Sequence, residues 1–187
     1  ARGADGKNYE VDGNLSYKDW YDGLSKDEQG RMSLENKKDK NRKRDKEEYN
    51  LYKKLLGKSM PSLADYKDSK YNKDDIYLDI KKRVSDIKNA PIKVSDKQFG
   101  KKIGKHGGYD YGFDIRTKEG REQYRALIED VRYNFDERAV GDWRSQEEPV
   151  IFYIKGENLV VTQLDGEFIS LFDGGKTNAR AKNARRF

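Results

Sequence analysis

The stretch "TKEGREQYRALIEDVRYNF", residues 117–135, and the three runs after it decide the fold: "PVIFYIKG" (149–156), "NLVVTQL" (158–164) and "GEFISLF" (166–172). In the first, Tyr124, Leu127, Ile128, Val131 and Phe135 recur at three- and four-residue spacing, which gathers them on one face of a helix. The three runs are short and rich in β-branched and aromatic residues. The breaks between them, Gly156–Asn158 and Asp165–Gly166, are short enough for hairpins. "RAVGDWR" (138–144) reads as a further strand ahead of them. The order predicts an α+β fold in which an amphipathic helix covers one face of an antiparallel sheet.

Upstream the pattern is different. "SYKDWYDGL" (16–24) offers Ser16 as a helix N-cap with Asp19 at the box position, and "SKDEQ" (25–29) repeats that signature with Ser25 and Glu28. "RDKEEYNLYKKLLGK" (44–58) puts Tyr49, Tyr52, Leu55 and Leu56 on one stripe and stops at Gly57. A helix restarts after Pro61, and "DDIYLDIKKRVSDI" (74–87) sets Ile76, Ile80, Val84 and Ile87 at helical spacing. The character changes at "NAPIKVSD" (89–96). Two parts are therefore expected: residues 1–90, a helical linker or small bundle with thin apolar faces, and residues 91–187, the α+β domain. The last stretch, "GGKTNARAKNARRF", holds five basic and no acidic side chains and reads as a mobile tail able to touch phosphates.

Charged residues make up 40% of the 187 and apolar ones 34%, with a mean hydropathy of −1.17, polar for one well-packed globule. The net charge of +6 comes from 40 basic against 34 acidic residues, so only a weak attraction to polyanions is expected. With no cysteine and one histidine, neither a disulfide framework nor a thiolate or histidine metal site is expected, and no cofactor. No membrane span or secretory leader is legible. The start at Ala1 in a loop-like "ARGADGKNYEVDGN" reads as a cut from a larger polypeptide.

The one histidine lies in "QFGKKIGKHGGYDYGFD" (98–114), behind Lys101, Lys102 and Lys105. Histidine is the side chain whose ordinary titration falls near neutrality. Arg144 follows Trp143 at the end of the first strand, and Thr162 and Ser170 lie in later strands, where alternate residues share a face. Metal-free RNA cleavage needs a base for the ribose 2′-OH, cations for the phosphorane and a donor for the leaving oxygen, and these residue types supply all three. Trp143, Tyr109, Tyr111 and Phe172 offer faces on which unpaired bases stack. Against this stand plainer readings. Lone histidines and lysine runs are common on solvated surfaces, Trp143 is of a type usually buried, and "GKHGG" lacks the glycine spacing and ending of a phosphate-binding loop.

Five segments in order, "KKIGKHGGYDYGFD", "TKEGREQYRALIEDV", "GDWR", "NLVVTQLDG" and "EFISLF", resemble the nuclease domain of colicin D and related bacterial toxins over residues 97–173. The resemblance implies a metal-independent endoribonuclease of the barnase/colicin class that cuts tRNA in the anticodon loop. His106 would be the base, Lys105 and Lys102 would hold the phosphate, and Ser170 would reach the active site from its strand. Arg144 is a further phosphate-facing candidate. Lys101, Trp143, Phe172 and Thr162 complete the expected substrate-binding set. Phe172 departs from the tryptophan of the relatives, keeping a stacking face without the indole donor. The segment between His106 and "DYG" is also slightly longer than in the relatives.

The first part resembles the C-terminal region of phage minor capsid, or head-morphogenesis, proteins, through "GNLSYKDWYDGL" and "DKEEYNLYKKLLGKSMPSLADYKDSKYN". This implies a carrier polypeptide upstream, a toxin that acts in the cytoplasm of a target bacterium, and a cognate immunity protein with an acidic face. The rival expectation is a non-catalytic structural or nucleic-acid-binding end of a phage head protein. A third is a toxin fold that has lost its activity.

Overall fold

The computed structural model describes residues 7–8, 14–144 and 146–187. These form an α+β protein with eight α-helices and one five-stranded antiparallel sheet, the helices towards the N-terminal side and the sheet towards the C-terminal side. They group into two compact units, residues up to Asn50 with Met60–Asp79, and Leu51–Ser59 with Ile80–Phe187. Residues 51–59 and 80–90, ahead of the change in composition, thus group with the sheet. Ile87 packs against the sheet's own core, which ties the end of its helix there. No helix among the described residues is long and apolar enough to cross a membrane.

The helices of the first unit are set by their caps. α1 (Tyr17–Asp22) begins at Ser16, whose hydroxyl accepts from the Asp19 amide at 3.1 Å. α2 (Lys26–Lys40) begins with the reciprocal box of Ser25 and Glu28 that the spacing predicts. α3 (Arg42–Leu56) stops at Gly57, whose φ of +60° continues no helix. α4 (Leu63–Asn72) starts from Ser62, and α5 (Asp75–Asn89) follows. Trp20, Met32, Tyr49 and Tyr66 are buried, but the centre is polar. Asp45, fully buried, accepts from Lys70 Nζ at 2.9 Å and Tyr71 Oη at 2.7 Å, while Glu48 accepts from the same Lys70 at 2.7 Å and from Tyr66 Oη.

In the second unit α6 (Asp96–Lys102) and α7 (Lys118–Tyr133) lie on one face of a sheet of order β4-β3-β2-β1-β5. The strands are β1 (Glu137–Gly141), β2 (Val150–Lys155), β3 (Asn158–Thr162), β4 (Phe168–Phe172) and β5 (Arg185–Arg186). Period-two alternation splits the apolar residues between two cores. Ile151, Tyr153, Val160, Phe168 and Leu171 meet Phe99, Ile103, Tyr124, Ile128 and Val131 on the helix side. Val150, Phe152, Ile154, Leu159 and Val161 meet Trp143 and Ala181 on the other. A bulge between Val161 and Thr162 pairs Val161 with Ser170 but Thr162 with Phe168. Simple alternation would place Phe168, Ser170 and Phe172 together. The extra residue turns Phe168 to the helix side and leaves Ser170 and Phe172 on the opposite face.

The C-terminal tail is not free, as its composition suggests, but folded. α8 (Ala179–Asn183) buries Ala181 completely, and β5 pairs with the β1 edge through Ala139–Arg186 and Val140–Arg185. An edge strand with unpaired amides is satisfied by any extended segment that reaches it, so a polar sequence folds there without apolar periodicity of its own.

Candidate active site

Ser95 caps α6, and Phe99 and Ile103 anchor its inner side in the helix-side core, which leaves Lys97 and Lys101 exposed and Lys102 half-buried. The helix then widens into a π-helical turn, Ile103–Gly107. Gly107 permits this: a Cβ there would lie 2.8 Å from Ile103 Cγ1 and 3.4 Å from Tyr124 Cδ2, so only glycine lets the turn sit against α7. Such turns are frequent at functional sites because they re-aim one side chain.

The side chain so aimed is His106. Its Nδ1 lies 2.7 Å from Asp110 Oδ2. A carboxylate there holds the imidazole as the Nδ1–H tautomer and leaves Nε2 as the acceptor. Nε2 has no protein partner among the described residues. The imidazole lies 5.8 Å from the Phe172 ring, which stacks on Trp143 at 5.9 Å and 23°. The Arg144 guanidinium lies over Trp143 at 5.1 Å. Arg144 holds φ at +46°, a left-handed conformation that costs a side-chain-bearing residue about 1–3 kcal/mol. A continuous ladder, imidazole to phenyl to indole to guanidinium, thus joins three separate segments of the chain, at His106, Phe172 and Trp143–Arg144.

Lys102 is acidified by burial first and then by Arg144, Lys105 and Lys101, so all four cations are within electrostatic reach of one another. None of the four has a carboxylate partner among the described residues, whereas Lys38, Lys70 and Lys155 are all ion-paired. Ser170, 2% exposed, opens toward the same sheet face as Phe172 and Trp143. His106, Phe172, Trp143 and Arg144 are therefore joined by contact, Lys101, Lys102 and Lys105 lie within electrostatic reach of them, and Ser170 is buried in the strand that carries Phe172.

Thr162 is not among them. It pairs with Ile151 and Phe168, is fully buried, and belongs to the helix-side face, out of reach of the basic cluster. Tyr111 stacks on Phe113 at 5.8 Å against that same core, so its ring is spent on packing, while Tyr109 is 92% exposed. Asp110 is the functional neighbour that composition alone does not single out, although the four-residue step from His106 to Asp110 was its signal.

No family model matches the chain, and neither a curated protein nor a solved structure does.

Proposed function

We propose that the second unit is a metal-independent endoribonuclease of the tRNA-cleaving, colicin D-like toxin class that its sequence resembles. The observation that carries this reading is the single histidine, held at Nδ1 by Asp110 and set among four cations that have no carboxylate partner among the described residues. In the proposed reaction His106 Nε2 removes the ribose 2′-OH proton and the 2′-oxygen attacks the adjacent phosphorus. The bond to the 5′-oxygen breaks, leaving a 2′,3′-cyclic phosphate and, after protonation of the departing oxygen, a 5′-hydroxyl. Lys102, Lys105 and Arg144 offset the charge that builds on the phosphorane. Lys102, the cation made most acidic by its surroundings, is a suitable donor to the leaving oxygen. Phe172, half-buried beside His106, offers a stacking face for an unpaired base, while Trp143, buried between Phe172 and Arg144, holds that ring in place.

In the same reading the first unit belongs to a phage-type carrier polypeptide. The nuclease acts in the cytoplasm of a target bacterium, and a cognate immunity protein presents acidic groups to the basic cluster.

Incubation with total bacterial tRNA in EDTA tests the reaction. Discrete fragments ending in 2′,3′-cyclic phosphate are expected from the wild-type chain, and His106→Ala should lower their rate by about 10²–10⁴-fold. Thermal unfolding of that variant should stay unchanged. Intact tRNA bound by both proteins would instead favour a nucleic-acid-binding end without chemistry.

A further inference from the structure

The reaction cluster ends at Lys101, but the surface does not. Lys101 also lines an open groove of about 340 Å³ that runs along α6 beside the start of β4. Lys97 lies one turn earlier on α6, about 6 Å along the helix axis, and is likewise exposed and without a carboxylate partner among the described residues. That step is comparable to the phosphate-to-phosphate step of an unstacked RNA strand. The facing wall is formed by Gln146 and Gln163. Their backbones are pinned, Gln146 N donating to Trp143 O at 2.9 Å and Gln163 N donating to Glu167 O at 2.8 Å. Their side-chain amides have no partner among the described residues. Gln98, by contrast, spends its amide on the Ile169 carbonyl and holds the groove wall. Beyond the two free glutamines the surface turns acidic at Glu147, Glu148 and Asp165. A phosphate is repelled there and kept on the lysine side.

We infer that this groove is a second nucleotide subsite, in which Lys97 holds the phosphate next to the one cleaved and the amides of Gln146 and Gln163 read the attached base. The inference rests on the ribonuclease reading above and extends it to a single-stranded substrate of at least two phosphates. A primary amide offers an N–H donor beside a carbonyl acceptor, which matches the amino and ring-nitrogen pair on the edge of adenine or cytosine. Glu167, the carboxylate on the groove's rim, accepts from an amino group and repels the carbonyl oxygens of uracil. The site thus favours an amino-bearing base beside the cleaved bond.

Cleavage of a dinucleotide, with one phosphate, is to be compared with that of trinucleotides extended by adenosine, cytidine or uridine on either side. Lys97→Ala should lower kcat/KM on the favoured trinucleotide about ten-fold more than on the dinucleotide, Gln146→Ala with Gln163→Ala should weaken use of all three extending bases, and Glu167→Gln should erase the preference for adenosine or cytidine over uridine. Equal losses on both lengths, or an unchanged base preference, would overturn the subsite. Binding of a 2′-O-methyl trinucleotide, which has no nucleophile, reads the groove without catalysis. Lys97→Ala should lower the slope of log Kd against log salt by about 0.7, the share of one single-strand phosphate, and an unchanged slope overturns the inference. Should the wild-type chain cleave none of these substrates and leave total bacterial tRNA intact as well, the ribonuclease reading fails, and the salt slope still decides whether the groove holds RNA.

Discussion

The two units bury charge in opposite ways. In the first, Asp45, Glu48 and Lys70 are taken inside and answered by one another and by two tyrosine hydroxyls, so the interior of a thin-faced helical unit is a closed polar network. In the second, both faces of the sheet bury aliphatic and aromatic side chains, and the cations around His106 have no carboxylate partner among the described residues. Pairing charges internally offsets the cost of burying them in a helical unit that is short of apolar surface. Leaving them unpaired around one histidine costs self-repulsion, which a bound polyanion relieves. The same abundant residue types, lysine and aspartate, thus serve structure in one unit and a site in the other.

The largest expected effects test that contrast directly. Lys70→Ala removes the one cation that answers both acids and strands the fully buried Asp45, which should destabilise the first unit by about 3–5 kcal/mol. Replacing Asp45, Glu48 and Lys70 together by apolar residues of similar volume should recover most of that loss, since no charge is then left unanswered. Phe152→Ala in the second unit should cost about as much through the cavity it leaves, with no compensating polar substitution available. Chemical denaturation of each variant measures both. If the apolar triple replacement is as damaging as Lys70→Ala, the network is needed for more than charge balance.

Local features were readable from the chain. Ser16, Ser25 and Ser62 cap helices because a hydroxyl meets amides three residues on, and the stripe from Tyr124 to Val131 marks α7 because helix geometry repeats. The three apolar runs are strands, and "RAVGDWR" supplies β1. The unreadable parts depend on distant neighbours. The bulge at Val161 and Thr162 is a property of a strand pair, so it cannot be seen in either strand alone, and it is what turns Phe168 to the helix side, away from Ser170 and Phe172. β5 forms because β1 has an open edge, not because "RRF" favours extension. Of the candidate site, the basic segment around His106 was visible as a cluster. Its closure by Trp143, Phe172 and Arg144 exists only after the sheet has formed.

The next effect is smaller and sharpens the role of charge at the site. In the proposed reaction Asp110 is a positioning residue, through its contact with the imidazole. Asp110→Ala should lower kcat by about ten- to a hundred-fold, the equivalent of a charge-assisted hydrogen bond, with KM unchanged. Asp110→Asn, which keeps an oxygen able to accept from Nδ1–H, should retain more of the rate. A rise in KM with kcat intact would move Asp110 out of this role and into substrate binding.

The smallest effect concerns the apolar side of the comparison. Tyr124 is fully buried in the helix-side core, and its hydroxyl donates to the Leu171 carbonyl at 3.1 Å. Burial, with a smaller contribution from Asp110, raises its phenol well above the ordinary value of 10.0. The folded phenol therefore stays neutral where the unfolded one ionises. The stability linked to it is fully present below pH 10 and is lost as the pH rises towards the folded value. Tyr124→Phe removes the hydrogen bond, costing about 1 kcal/mol at neutral pH, and also removes this alkaline loss. Its stability should thus fall less steeply than the wild type's above pH 10, so that the two curves converge. Parallel curves through that range would show that the phenol gains solvent before the core opens, and the sheet's helix side would then be less tightly closed than its packing implies.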